Sequence, residues 1–289
     1  MKVSGFTFIK NAVKYDYPIE EAIRSILPLC DEVVVAVGDC EDETRKLIEN
    51  IDPKIRIVDT VWDPDLTAGG KVLAEETNKA FKEISPDTDW CFYIQGDEIL
   101  HEKYIPAVRE AMLKWKDNPK VDGLLFNYLH FYASYDYIGT SSNWYRREIR
   151  IIKNDSSIYS YRDAQGFRKN DNEKLRVKLI DAYIYHYGWV KDPKKMLAKI
   201  ENFVKLYKGK EASEKRIVNE GFDYSTIDAL AKFEGTHPKV MESRINRKNW
   251  KFEHDLSYSR LSFKEKIKRF VRKTTGYHLW EYRNYKLLK

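Results

Sequence analysis

The sequence predicts an α/β fold: a mostly parallel central sheet flanked by helices, followed by a helical, basic C-terminal extension. Three observations carry this expectation. Short apolar runs of strand length alternate with stripes of helical spacing. The runs are apolar throughout, as strands covered on both faces are. Acidic residues gather where two of the runs stop.

Residues 5–9 read as a short strand. Pro18 opens a helix at a position where its missing N–H costs nothing, and Ile19, Ala22, Ile23, Ile26 and Leu27 repeat at helical spacing. Residues 32–37 form a continuous apolar strand, ended by the acidic residues 38–44; Leu47, Ile48 and Ile51 begin the next helical face, and residues 55–58 are another strand. After a Pro- and Gly-bearing loop, Val72, Leu73, Ala80, Phe81 and Ile84 mark a helix. Residues 90–94 are a buried strand that stops at Gln95, Gly96, Asp97 and Glu98, and Tyr104, Ile105, Val108, Ala111, Met112 and Trp115 give a clean helical stripe. The middle changes character: residues 124–137 are rich in aromatics, 148–153 and 181–187 read as strands, and Met196, Leu197, Ile200, Phe203, Val204 and Tyr207 mark a helix. Residues 208–220 are polar and read as a hinge or loop, which sets a domain over 1–208 apart from a mainly helical extension over 209–289. In that extension, residues 262–275 make an amphipathic basic helix with Phe263, Ile267, Phe270 and Val271 on one face.

A chain of 289 residues buries a sizeable core as one large domain or two small ones, and 43% hydrophobic with 33% charged residues is an ordinary globular balance. No run of about 18 apolar residues exists, so no membrane span is expected, and the N-terminus carries no signal-peptide pattern. Cys30, Cys40 and Cys91 lack CxxC spacing and read as free thiols, which fits the cytoplasm. The net charge of +6 is uneven: residues 237–289 hold fifteen Lys/Arg against five Asp/Glu, leaving the remainder negative. This basic tail reads either as a solvated helical face packed on the rest of the chain or as a peripheral contact with an anionic membrane. No RNA- or DNA-binding module accompanies the charge, so a nucleic-acid partner is not expected.

In open α/β sheets, ligands bind beyond the carboxyl ends of the strands. The acidic residues 39–43 and the pair Asp97 and Glu98 both fall at such ends and should share one rim. Acids suit an anionic nucleotide if one cluster accepts hydrogen bonds from base or ribose while the other holds a divalent cation against a diphosphate. For Asp42, Glu43 and Thr44, capping of the following helix competes with that role. Gly96 beside Asp97 permits close ligand approach, which capping does not require.

Two segments carry a family resemblance. Asp31 and Glu32 open a Val-rich strand that leads to Cys40-Glu41-Asp42-Glu43-Thr44, a partial match to a Ser-x-Asp-x-Thr pattern, and Gln95-Gly96-Asp97 stands in the place of a DxD element. The order resembles family-2-type glycosyltransferases with the GT-A fold, clearly over the first half and more weakly to about residue 208. The resemblance implies transfer of a sugar from a nucleotide-diphosphate sugar to a glycan or lipid-linked acceptor, in polysaccharide biosynthesis, with inversion at the anomeric carbon and Mn²⁺ or Mg²⁺ as cofactor. Asp42 would help place the base, with Phe8 and Ile9 lining its pocket, and Lys71 and Asn78 would face the nucleotide. Gln95 would hydrogen-bond the ribose through its amide. Asp97 would be the main metal ligand and His186 a further one, with His237 as its rival. Lys191 and Lys195 would steady the leaving phosphate. Asp163 would be the general base, with Glu148 and Asp136 as fallbacks, and Trp144 would stack on the acceptor sugar. A non-catalytic nucleotide- or carbohydrate-binding protein on the same fold is the alternative, since Gln95 departs from the motif. A nucleotidyltransferase ranks lower, because residues 1–17 lack a Gly-rich phosphate loop.

Overall fold

The computed structural model describes residues 1–66, 68–208, 221–257, 260–275 and 282–289. Its elements are β1 (Val3–Ile9), α1 (Ile19–Ile26), β2 (Glu32–Val37), α2 (Thr44–Glu49), β3 (Ile55–Asp59), α3 (Lys71–Lys82), β4 (Trp90–Tyr93), β5 (Glu98–Leu100) and α4 (Ile105–Trp115). These are followed by β6 (Gly123–Tyr132), β7 (Ser134–Gly139), β8 (Arg147–Lys153), β9 (Ile158–Tyr161), β10 (Gly166–Lys169), β11 (Glu173–Lys174), β12 (Arg176–Trp189) and α5 (Pro193–Lys208). The chain ends with β13 (Leu230–Lys232), α6 (Glu242–Asn246), α7 (Phe263–Thr275) and β14 (Lys286–Leu287).

Among the described residues the main sheet has eleven strands, running β13-β7-β6-β8-β4-β1-β2-β3, with β12, β14 and β5 joined to it through β6. The α/β expectation holds. Strands β3, β2, β1 and β4 are all parallel, while β8 pairs antiparallel with both β4 and β6. The continuous apolar runs have a direct cause. Val33, Val35 and Val37 belong to the core on one face of the sheet, and Val34 and Ala36 to the core on the other. Strand β4 divides likewise, Trp90 and Phe92 against Cys91 and Tyr93. Alternate side chains of a strand point to opposite faces, so a strand covered on both sides must be apolar at every position.

Periodicity alone left residues 98–100 unassigned; they form β5, antiparallel to β12 with His186 opposite Glu98. The aromatic stretch 124–137 is a pair of strands, β6 and β7, reversed at Ala133, whose φ is 59°. Of the segment 208–220 expected as a hinge, Lys208 ends α5 and residues 209–220 lie outside the described residues. The described part of the expected extension is stitched into the sheet as well as helical: β13 pairs with β7, β14 with β12, and Arg244 meets Asp16 at 2.6 Å and Glu21 at 3.0 Å. None of the described helices is long and apolar enough to cross a membrane.

Candidate functional site

A cleft of about 1150 Å³ opens at the carboxyl rim of the parallel strands. Its walls come from the end of β1 (Phe8, Ile9), the residues after β2 (Asp39, Glu41), the turn between β4 and β5 (Gln95, Asp97), the end of β12 (His186, Gly188) and the inner face of α5 (Lys199, Phe203, Tyr207). That is where the topology of an open α/β sheet leaves room for a ligand.

The pairing of β5 with β12 builds the centre of the cleft. The Tyr187 amide donates to the Asp97 carbonyl at 2.8 Å, which fixes the Asp97 side chain beside residues 186–188. The Lys199 ammonium donates to Asp97 Oδ2 at 3.0 Å and to the Gly188 carbonyl at 2.8 Å. Burial alone would push the Asp97 carboxyl up; the Lys199 ammonium outweighs it and holds the group well below the usual carboxylate range. Gly188 is required by close approach: a Cβ there would lie 2.7 Å from Asp97 Oδ2 and 2.8 Å from the His186 ring.

A chain of hydrogen bonds fixes the His186 tautomer. His130 Nε2 lies 2.7 Å from the Tyr145 carbonyl, which can only accept, so this nitrogen carries a proton. Burial pushes His130 down to about 3 and keeps it neutral, leaving Nδ1 as an acceptor. His186 Nδ1 is 3.1 Å away and must therefore be the donor. Burial also pushes the His186 ring down and keeps it neutral, which leaves a bare lone pair on Nε2, 3.6 Å from Asp97 Oδ1. At that distance no proper hydrogen bond joins the two. A carboxylate oxygen and an imidazole lone pair turned toward each other suit a divalent cation between them, with the second ring nitrogen oriented as metal-binding histidines have it. The residues present thus fit such an ion. No group of three or more His, Cys, Asp or Glu side chains converges among the described residues, so the remaining ligands would have to be oxygens of the bound molecule or water.

Directly behind Asp97, Glu98 and Arg150 form a fully buried two-pronged ion pair with both contacts at 2.7 Å. Tyr128 donates its hydroxyl to Glu98 at 2.9 Å, and the rings of Tyr93 and Tyr128 lie 5.2 and 5.3 Å from the guanidinium carbon. Nearby Glu148 is buried with Oε2 lacking a hydrogen-bond partner among the described residues, and burial pushes its carboxyl up to about 8. The unfolded chain ionises this group in the ordinary range while the folded chain keeps the proton, so stability falls as pH rises from there toward 8. Glu148→Gln removes that cost. The melting temperature of the variant should exceed that of the unmodified chain at pH 8, and the difference in unfolding free energy should shrink by about 1.4 kcal/mol per pH unit on titration toward pH 5.

The remaining expected residues divide into those on the cleft and those away from it. Phe8 and Ile9 line it, and Phe8 is joined there by Trp62, ring to ring at 5.9 Å. Asp163 also lines it, in the turn between β9 and β10, and accepts the Tyr207 hydroxyl at 3.0 Å. Gln95 is on the wall, but its amide nitrogen is engaged with the Ala164 carbonyl at 3.1 Å and the Tyr93 hydroxyl at 3.3 Å, so Oε1 is the atom left for a ligand. Asp42 is not on the wall: it accepts the Lys14 and Thr44 amides at 2.7 and 3.0 Å, closing the turn before α2, and Asp39 takes the cleft position instead. Lys71 is exposed at the start of α3, off the cleft wall. Asn78 exchanges hydrogen bonds with Ser160, tying α3 to β9. Trp144 packs behind Trp189 at 6.3 Å, and Tyr145 reaches the cleft in its place. His237 bonds the Tyr187 hydroxyl at 2.8 Å within an aromatic cluster containing Phe131 and Phe233, away from Asp97. Lys191 donates to the Asp16 carbonyl and Lys195 to that of Lys14. Asp136 is engaged by Ser134, and Glu148 lies behind the wall.

Sequence reasoning missed Lys199 and His130. Lys199 was legible: it interrupts the apolar stripe Met196, Ile200 and Phe203 of α5, and a lysine on the buried face of a helix calls for a partner. His130 was not, because its role follows from a cross-strand pairing with His186 that only the fold reveals.

No protein-family model matches the chain, and no curated protein does. Among solved structures, Staphylococcus aureus TarS is similar over 71% of this chain and 39% of that one, at 16% identity and a TM-score of 0.41. Its fragment 1–349 in complex with UDP-GlcNAc is similar over 71% and 66%, at 14% identity and 0.41. Glucosyl-3-phosphoglycerate synthase from Mycobacterium tuberculosis, in complex with Mn²⁺, UDP and glucosyl-3-phosphoglycerate, is similar over 45% and 44%, at 19% identity and 0.31. The chain thus spans well under half of the TarS structure's length. At these scores the likenesses bear no weight for the chemistry, which stands on the residues themselves.

Proposed function

We propose that this chain is a glycosyltransferase of the GT-A type, moving a sugar from a nucleoside-diphosphate sugar to the hydroxyl of a glycan or lipid-linked acceptor. One observation carries the reading: the Asp97 carboxylate and the bare His186 Nε2 lone pair face each other at 3.6 Å inside the cleft at the strand carboxyl ends. These two residues would hold Mn²⁺ or Mg²⁺, which when bound neutralises the diphosphate and so makes it a better leaving group. The nucleoside end is assigned to Phe8, Ile9 and Trp62, with Asp39 accepting hydrogen bonds; Lys10, 2.6 Å from Asp39, keeps that carboxylate charged. Lys199, held on Asp97, adds a fixed positive charge beside the phosphates.

Asp163 is assigned as the base. Its carboxylate takes the proton of the acceptor hydroxyl as the new bond to the anomeric carbon forms, while the bond to the diphosphate oxygen breaks on the opposite face, which inverts the centre. The Tyr207 hydroxyl, 3.0 Å away, holds that carboxylate in place.

The test is a thermal-shift series with UDP-, GDP- and dTDP-sugars, each with and without Mn²⁺. At a ligand concentration about 100 times Kd, binding to the native state adds about 2.7 kcal/mol to stability, so at least one donor should raise the melting temperature and do so more strongly with the metal. The absence of a shift with every donor would end the proposal. Asp163→Asn should keep the donor-induced shift and lose transfer.

A further inference from the structure

Helix α7 sits on the molecule with its polar side inward. Glu265 accepts from the Ser142 amide at 3.1 Å and from the Ser142 hydroxyl at 2.5 Å, and Lys268 donates to the Ser142 hydroxyl and to Glu265, both at 2.8 Å. The apolar side faces out: Phe263 is 80% exposed, Phe270 69% and Ile267 39%. At about 100° per residue these three fall in one stripe roughly 60° wide. Exposed Lys264 flanks the stripe on one side and exposed Lys266 and Arg269 flank it on the other. The thirteen residues of the helix hold six Lys/Arg against one Glu.

Single exposed apolar residues need no explanation, but two phenylalanines and an isoleucine on one stripe, ringed by cations, form a patch that something covers. The charge decides what. A second copy of this chain would set the same positive helix against itself, and a nucleic acid would leave the apolar stripe in water. An anionic bilayer satisfies both halves: acyl chains take up the aromatic rings while headgroups meet the cations, each worth about 1 kcal/mol near such a surface. We propose that α7 is an interfacial helix that seats the chain on an anionic phospholipid membrane. The helix is anchored at Ser142, in the same connection between β7 and β8 as Tyr145, which lines the cleft. Seating the helix therefore holds one wall of the cleft close to the lipid surface. The inference stands apart from the glycosyltransferase reading, since none of the residues of the stripe lines the cleft.

The experiment is co-sedimentation of the full chain with vesicles of phosphatidylglycerol and phosphatidylcholine in equal parts, and with phosphatidylcholine alone. Binding is expected to the anionic vesicles only and should weaken with added salt. Phe263→Ser with Phe270→Ser should weaken it about tenfold or more, and Lys266→Gln with Arg269→Gln by a similar factor. Both pairs are solvent-facing, so the circular dichroism spectrum and melting temperature should not change. Failure of the unmodified chain to bind anionic vesicles overturns the proposal. So does binding that survives the double phenylalanine change, or light scattering that reveals a dimer abolished by it, which would make the stripe a self-interface.

Discussion

Asp97→Asn is expected to abolish metal-supported donor binding and to lower sugar-nucleotide turnover by about 10³-fold, the range seen when a charge-stabilising group is removed from a preorganised site. The substitution keeps the shape of the side chain and removes only its charge. The His186 lone pair then faces a neutral amide, and a cation loses its one carboxylate ligand from the protein. The same change acts on stability. Lys199 Nζ is tied to Asp97 Oδ2 at 3.0 Å with both side chains nearly buried, and an asparagine leaves the ammonium without its counter-charge. Breaking a buried pair from one side costs about 3–5 kcal/mol. Since the carboxyl is held below its ordinary range, the contribution of the pair is fully present at neutral pH and is lost progressively as pH falls from the ordinary carboxylate range to the depressed value. A companion variant separates the two effects. Asp97→Asn combined with Lys199→Met removes both charges and should recover most of the melting temperature, while Mn²⁺ with a nucleotide sugar still fails to shift it. Recovery of donor binding in that double variant would remove Asp97 from the metal site.

The first half of the fold was readable because its strands are covered on both faces and its helices on one, so burial writes itself directly into the order of apolar residues. Val33 to Val37 and Trp90 to Tyr93 need to be apolar whichever way each side chain points. The place of Asp97 on the cleft wall was readable for a related reason: the apolar run of a buried strand stops there, and in an open α/β sheet that end lies on the ligand rim. The residues that lie off the wall share a cause as well. Asp39 and Asp42 stand three residues apart in a loop, and spacing cannot say which one turns to the rim and which closes the turn before α2; the backbone amides of Lys14 and Thr44 decide it. Trp144 and Tyr145 are adjacent in sequence, and only the geometry of the β7–β8 connection decides which of them reaches the cleft. His130 was invisible for a deeper reason: its influence passes through another residue across two paired strands, and nothing in the linear order marks that contact.

Arg150→Met is expected to be the most destabilising single change in the sheet. Both members of the Arg150 and Glu98 pair are fully buried, and the guanidinium also donates to the carbonyls of Ile149 at 2.9 Å and Gln165 at 3.0 Å. Methionine fills part of the volume but strands a carboxylate between the Tyr128 hydroxyl and the Gln95 amide. The cost is about 3–5 kcal/mol, a large share of the roughly 5–15 kcal/mol that holds a typical domain together. Urea denaturation should register it as a lower midpoint at an unchanged slope. Removing both charges, Arg150→Met with Glu98→Gln, should return much of the loss, because the desolvation penalty disappears with the ions. Donor binding should not return with it. Glu98 opens β5, whose register against β12 sets Asp97 beside His186, and the two-pronged pair is what fixes the start of that strand. If the double variant regained both stability and donor affinity, the ion pair would be an ordinary core contact with no part in positioning Asp97.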